Sequence, residues 1–132
     1  MIKGVGHIGL AVKDIDKIVT ALCAALSIPR PEIKDVPEKK MKVAVINVGA
    51  FGLEILEDYS EDGPFAQFVQ ERGNAIHHFC LISDDIVADI ETLEKRGVEM
   101  TDRTPKLGLR GKRIAFAAPD LLDGISIELS EP

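Results

Sequence analysis

The chain has 132 residues, 45% of them hydrophobic and 29% charged, with a formal net charge of −6. That length is most simply one domain with a sizeable core, and the acidic balance speaks against a general nucleic-acid binder. No apolar run nears the ~20 residues of a membrane span, and two cysteines, Cys23 and Cys80, are too few for a disulfide scaffold.

Taken in chain order, MIKGVGHIGLAV lacks a leader-cleavage pattern and passes straight into strand-like alternation, so the expected location is the cytoplasm, with free thiols. Asp14 or Asp16 caps a helix over IDKIVTALCAAL, whose apolar residues recur at helical spacing. PRPEIKDVPEKK is a Pro-broken loop or irregular edge, with room for a short strand near Ile33. MKVAVINV and FGLEILE are strands joined by a turn at Gly49-Ala50. Pro64 opens a short helix that Gly73 stops. Then come a strand over IHHFCLI, a helix over DIVADIETLEKRG, a loop with a possible short strand near Val98, and strands over KRIAFAA and GISIELS.

The chain repeats itself. Shifted by 71 positions, HIGLAVKDI (His7 to Ile15) falls on HFCLISDDI (His78 to Ile86), and KVAVI (Lys42 to Ile46) on RIAFA (Arg113 to Ala117). Three more positions lay LEILE on IELSE, with Glu54 on Glu128. Each half reads strand, helix, then up to three strands. The expected fold is α+β, built from two tandem βαβββ modules. Module one spans residues 1–60, a linker helix 61–73, and module two 74–132, as a single domain.

Alternate strand residues share a face, so His78, Cys80 and Ile82 point together and His77 points away. The repeat also sets Glu54 and Glu128 inside apolar strands, where a lone ionised carboxylate costs several kcal/mol (order of magnitude). A divalent cation offsets that cost. His7, Glu54, His78 and Glu128 make a two-His, two-Glu set suited to Zn, Mn, Co, Ni or Fe. Cys80, on the His78 face, reads as a small packing residue. GVGHIG fits a dinucleotide-binding pattern, but no strand precedes it and its third glycine lies inside a strand. GLRGKR has the wrong spacing for a phosphate-binding loop, and no C-x-x-C, H-E-x-x-H or nucleophile elbow occurs.

HIGLAVKDI, VPEKKMKVAVI, LEILE, GPFAQFVQERGNAIHHFCL, GLRGKRIAF and GISIEL together cover nearly the whole chain. On these stretches it resembles the vicinal-oxygen-chelate (glyoxalase-like) superfamily, and within it the methylmalonyl-CoA epimerases. The resemblance implies a metal-centred half-open barrel, a homodimer, and a divalent metal (Co, Mn, Ni or Zn) on His7, Glu54, His78 and Glu128. Many epimerases have Gln where Glu54 stands.

The implied reaction interconverts the (R) and (S) forms of methylmalonyl-CoA through a metal-chelated enolate. The implied catalytic pair is Glu128 with Glu38, the latter from a Pro37-Glu38 pair that matches the family's Pro-Glu; Glu54 is the fallback. An acyl-CoA partner is anionic, so Lys106, Arg110, Lys112 and Arg113, with the amides of Gly108 and Gly111, are the expected substrate-binding groups. No nucleic-acid or membrane partner is expected.

The chain departs from the epimerase pattern in three places. It lacks the aromatic pair and Gly in the first helix region, has Lys39-Lys40-Met41 for Gln-Gly-Val, and has Ala118 to Asp120 (APD) for the turn before the last strand. Two other readings fit the same fold: a glyoxalase I acting on a glutathione hemithioacetal, and a binding protein without turnover.

Overall fold

The computed structural model describes residues 1–132. In chain order its elements are β1 (Ile2–Ala11), α1 (Ile15–Leu26), β2 (Lys34–Val36), β3 (Met41–Val48), β4 (Phe51–Asp58) and α2 (Pro64–Arg72). After them come β5 (Ala75–Ser83), α3 (Ile86–Lys95), β6 (Lys106–Leu107), β7 (Arg113–Phe116) and β8 (Ser126–Ser130). The succession strand, helix, three strands occurs twice, and the eight strands belong to one mixed sheet. Two compact units form, Ile8–His77 and Met1–His7 with His78–Pro132.

Within Ile8–His77 the strand order is β2-β3-β4-β1. The spacing of Ile15, Val19 and Cys23 puts them on one side of α1, where they bury against Ala44, Ile46 and Ile55. Asp14, not Asp16, caps this helix: its carboxylate accepts from the Lys17 amide at 3.2 Å. Asp16 pairs with Arg30 instead, at 2.8 Å.

β3 and β4 form a hairpin from Met41↔Asp58 to Val48↔Phe51, and Gly49 supplies the positive φ (60°) of its two-residue turn. Ile55 faces α1, which turns its neighbour Glu54 to the opposite side of the sheet. The loop around Ile33 does hold a strand, β2, followed by a 3-10 turn over Pro37–Lys39. α2 begins at Gly63 without a side-chain cap of its own. Asp58 fills that role from the end of β4, accepting from the amides of Phe65 (2.7 Å) and Ala66 (3.0 Å). A side-chain carbon at Gly63 would overlap this carboxylate.

In the other unit the order is β1-β5-β8-β7-β6. β5 and β8 run parallel, and β7 pairs antiparallel with β8. Asp85 caps α3 by accepting from the Ala88 amide at 3.1 Å. Ile86 and Ile90 then bury against Met100, Ala115, Ala117 and Leu129, with Leu81 and Ile127 alongside. Because Leu81, Ile127 and Leu129 face this helix, His78, Cys80 and Glu128 occupy the other side of β5 and β8. No strand forms at Val98. The chain makes a single bridge there, Met100↔Ala117, and its extra strand, β6, lies further on. No helix is long and apolar enough to cross a membrane.

Candidate metal centre

On the sheet side turned away from α3, three side chains from three strands converge. His7 of β1 and His78 of β5 bring their Nε2 atoms to 3.2 Å. Glu128 of β8 sets Oε2 3.2 Å from His78 Nε2 and 3.6 Å from His7 Nε2. All three residues are buried, His78 to 1% exposure. Donors each about 2.1 Å from one ion stand about 3.0–3.4 Å apart in octahedral or tetrahedral geometry. The triangle of donors therefore already has the dimensions of one face of a coordination shell. Its chemistry, two imidazoles and a carboxylate, suits a divalent transition metal.

The charge balance agrees. Burial pushes the Glu128 carboxyl up, but hydrogen bonds from His7 and His78, with the attraction of both rings, outweigh it and hold the pKa at about 2. A depressed folded-state pKa stabilises the metal-free protein above the ordinary glutamate value of 4.5, and that stability is lost as pH falls through about 2. The difference is worth on the order of 3 kcal/mol. Melting curves of metal-free protein taken through this acid window should therefore fall more steeply than those of Glu128→Gln. Parallel curves would show that Glu128 is not held in this way.

The two adjacent histidines divide as strand geometry requires. His78 points into the cluster, and His77 packs edge-on against Phe65 and Phe68 of α2, with ring centroids 4.7 and 5.0 Å away. Two further residues border the cluster. The Phe116 ring meets His78 at 5.3 Å and 85°, and it lies opposite Glu128 in the β7–β8 register. Cys80, read from sequence as a packing residue, has its sulfur within 4.8 Å of ligand atoms of His7 and Glu128. Its i, i+2 relation to His78 was the available signal; Phe116 carried none without the strand register.

The remaining candidates are placed as follows. Glu54 is buried at 5% exposure on β4, opposite Val45. Glu38 is exposed on the Pro37–Lys39 turn. Arg110 and Lys112 are exposed in the loop between β6 and β7. Arg113 pairs with Glu131 at 2.5 Å, and Lys106 with Asp102 at 3.0 Å, its ammonium 5.7 Å from the Phe116 ring centre. Anion binding by the amides of Gly108 and Gly111 is corrected. The first donates to Lys112 O at 2.8 Å and the second to Gly108 O at 3.2 Å, so the turn itself consumes both donors.

With this geometry in place, comparison with known proteins is decisive. The model of the glyoxalase/bleomycin resistance protein/dioxygenase superfamily matches residues 6–116. The chain belongs to this superfamily. Its eight-stranded mixed sheet with three helices is the glyoxalase-like fold. Among its relatives in the superfamily, uncharacterized protein YqjC of Bacillus subtilis is 31% identical over 126 residues, covering 96% of this chain and 90% of that protein. The human mitochondrial methylmalonyl-CoA epimerase is 29% identical over 126 residues, covering 95% of this chain and 72% of that protein. A variant of Streptomyces coelicolor methylmalonyl-CoA epimerase, solved in complex with 2-nitronate-propionyl-CoA, superimposes with a TM-score of 0.88 at 26% identity, covering 99% and 95% of the two chains.

Proposed function

We propose that this superfamily member is a metal-dependent epimerase, an isomerase that interconverts the two C2 stereoisomers of methylmalonyl-CoA. The observation that carries the reading is the buried His7, His78 and Glu128 triangle, with edges of 3.2 to 3.6 Å. Epimerase relatives along nearly the whole chain support the substrate class. Glu54, buried and matched to Glu128 in the repeat, is assigned as the fourth ligand. The metal is one of Co, Mn, Ni or Zn, and the working form is a homodimer. Two cysteines that form no disulfide support a reducing compartment, the cytoplasm.

When bound, the divalent ion supplies Lewis-acid stabilisation of negative charge developing on a carbonyl oxygen. The chain's own work is proton transfer. Inversion at C2 needs a group to take a proton from one side of the carbon and a group to return one to the other. Glu128 and Glu38 are assigned these roles. Whichever of the two removes the proton in one direction returns it in the other, so the pair exchanges roles between the forward and reverse reactions. Phe116 and the buried surroundings of His78 keep water from the donor atoms.

The direct test is incubation of one C2 stereoisomer of methylmalonyl-CoA with metal-loaded protein, followed by chiral chromatography. Equilibration of the two forms is expected, and a single unchanged isomer would contradict the reading.

The cationic loop supplies a second check. Arg110 and Lys112, exposed in the loop between β6 and β7, are assigned to the anionic coenzyme. Reversing both charges to Glu should raise KM about tenfold or more with kcat little changed, because such contacts bind ground and transition states alike. An unchanged KM would remove the loop from substrate binding.

A further inference from the structure

We propose that Ser126 sets specificity for a carboxylate-bearing acyl thioester, its hydroxyl donating a hydrogen bond to one oxygen of that carboxylate. The proposal rests on the epimerase reading above. The buried polar side chains of this unit are His7, Ser83, His78, Ser126, Glu128 and Ser130. His7, His78 and Glu128 form the donor triangle. Ser83 donates to Asp89 at 2.5 Å, and Ser130 to the carbonyl of Glu131 at 2.9 Å. Ser126, at 8% exposure, makes no hydrogen bond within the protein. A buried hydroxyl in that position carries a desolvation penalty unless a ligand supplies its partner. Every wholly enclosed polar side-chain atom does have a partner, so the Ser126 hydroxyl lies where a small molecule can reach it.

The strand register fixes the side of the sheet. In the parallel β5–β8 pairing Ser126 is the direct partner of His78, and it stands two residues from Glu128, so all three share one side. Phe116 lies opposite Glu128 on β7. The antiparallel pairing runs on through the Ala117 amide, 2.9 Å from the Ile127 carbonyl, and brings Ala118 opposite Ser126. With only a methyl and a hydroxymethyl group at this level, β7 and β8 put little side-chain volume beside His78. In the repeat Ser126 falls on Gly52, so the first half has no such hydroxyl. The chemistry selects the oxygen. Of the two groups flanking C2, the thioester offers one carbonyl oxygen and the carboxylate two. With one oxygen of each on the ion, a single charged carboxylate oxygen is left in need of a donor. A hydroxyl placed there reads the group that an ordinary acyl thioester lacks.

The test is calorimetric titration of metal-loaded full-length protein with malonyl-CoA and, separately, with propionyl-CoA, which lacks the carboxylate. Neither has a stereocentre at C2, so binding is read without net conversion. The wild type should bind malonyl-CoA more tightly. Ser126→Ala should weaken malonyl-CoA about tenfold or more, with propionyl-CoA affinity and metal content within about twofold. Ser126→Thr and Ser126→Val, nearly equal in shape and both suited to a strand, isolate the hydroxyl. The Thr variant should keep the preference for malonyl-CoA and the Val variant should lose it; if Ser126→Ala does not fold, this pair decides. Unchanged malonyl-CoA affinity in Ser126→Ala, equal losses for both esters, or Thr and Val variants that bind alike would overturn the assignment and leave the epimerase reading standing, as would a wild type that does not tell the two esters apart. A wild type that binds neither ester would overturn that reading, and the proposal with it.

Discussion

Replacing His78 by alanine should weaken divalent-metal binding by more than about a hundredfold, whereas replacing His77 should leave it within about twofold. The two residues are neighbours, and only their sheet faces differ. His78 is buried with its Nε2 3.2 Å from both His7 Nε2 and Glu128 Oε2, so alanine removes one corner of the donor triangle. The loss also strips Glu128 of one of the two hydrogen bonds that keep it ionised in a buried place. His77 touches Phe65 and Phe68, and its removal costs packing on α2 alone. Neither substitution enters the apolar clusters under α1 and α3, so both variants should keep wild-type circular dichroism. Calorimetric metal titration of the two variants side by side checks the claim; equal losses would mean that the cluster does not hold the ion.

The second large effect is on turnover. Glu38→Gln should lower kcat by about a hundredfold to ten-thousandfold, the usual range for removing a positioned base, with metal content unchanged. Glu38 is exposed at the turn that follows β2. Gln keeps its shape and removes the charge. Full activity in a variant with stoichiometric metal would cancel the assignment and pass the second-base role to Glu54.

Much of this architecture is legible in the residues. Asp14 and Asp85, followed by apolar residues at helical spacing, mark the starts of α1 and α3 as the structure has them. The 71-residue offset that lays His7 on His78 marks the repeat, and alternation along β5 separates His78 from His77. What escaped depends on which strand lies beside which.

Spacing assigns Cys80 to a face but does not say that Glu128 is its cross-strand partner; only the parallel β5–β8 register does. Phe116 reaches His78 through β7, a pairing invisible in local pattern. Asp58 caps a helix six residues beyond it, farther than capping patterns extend. Local sequence does not reveal that Glu131 pairs with Arg113 and Asp102 with Lys106. Nothing in the residues shows that the amides of Gly108 and Gly111 are spent internally, as the tight turn between β6 and β7 spends them.

The central claim is that the His7, His78 and Glu128 cluster serves a metal-dependent proton transfer at the carbon between a carboxylate and a thioester. Its most direct measurement is NMR of methylmalonyl-CoA in heavy water with metal-loaded protein, following deuterium uptake at C2. The account predicts rapid exchange that stops on chelation and returns when metal is restored. No exchange by protein shown to carry its metal would contradict it.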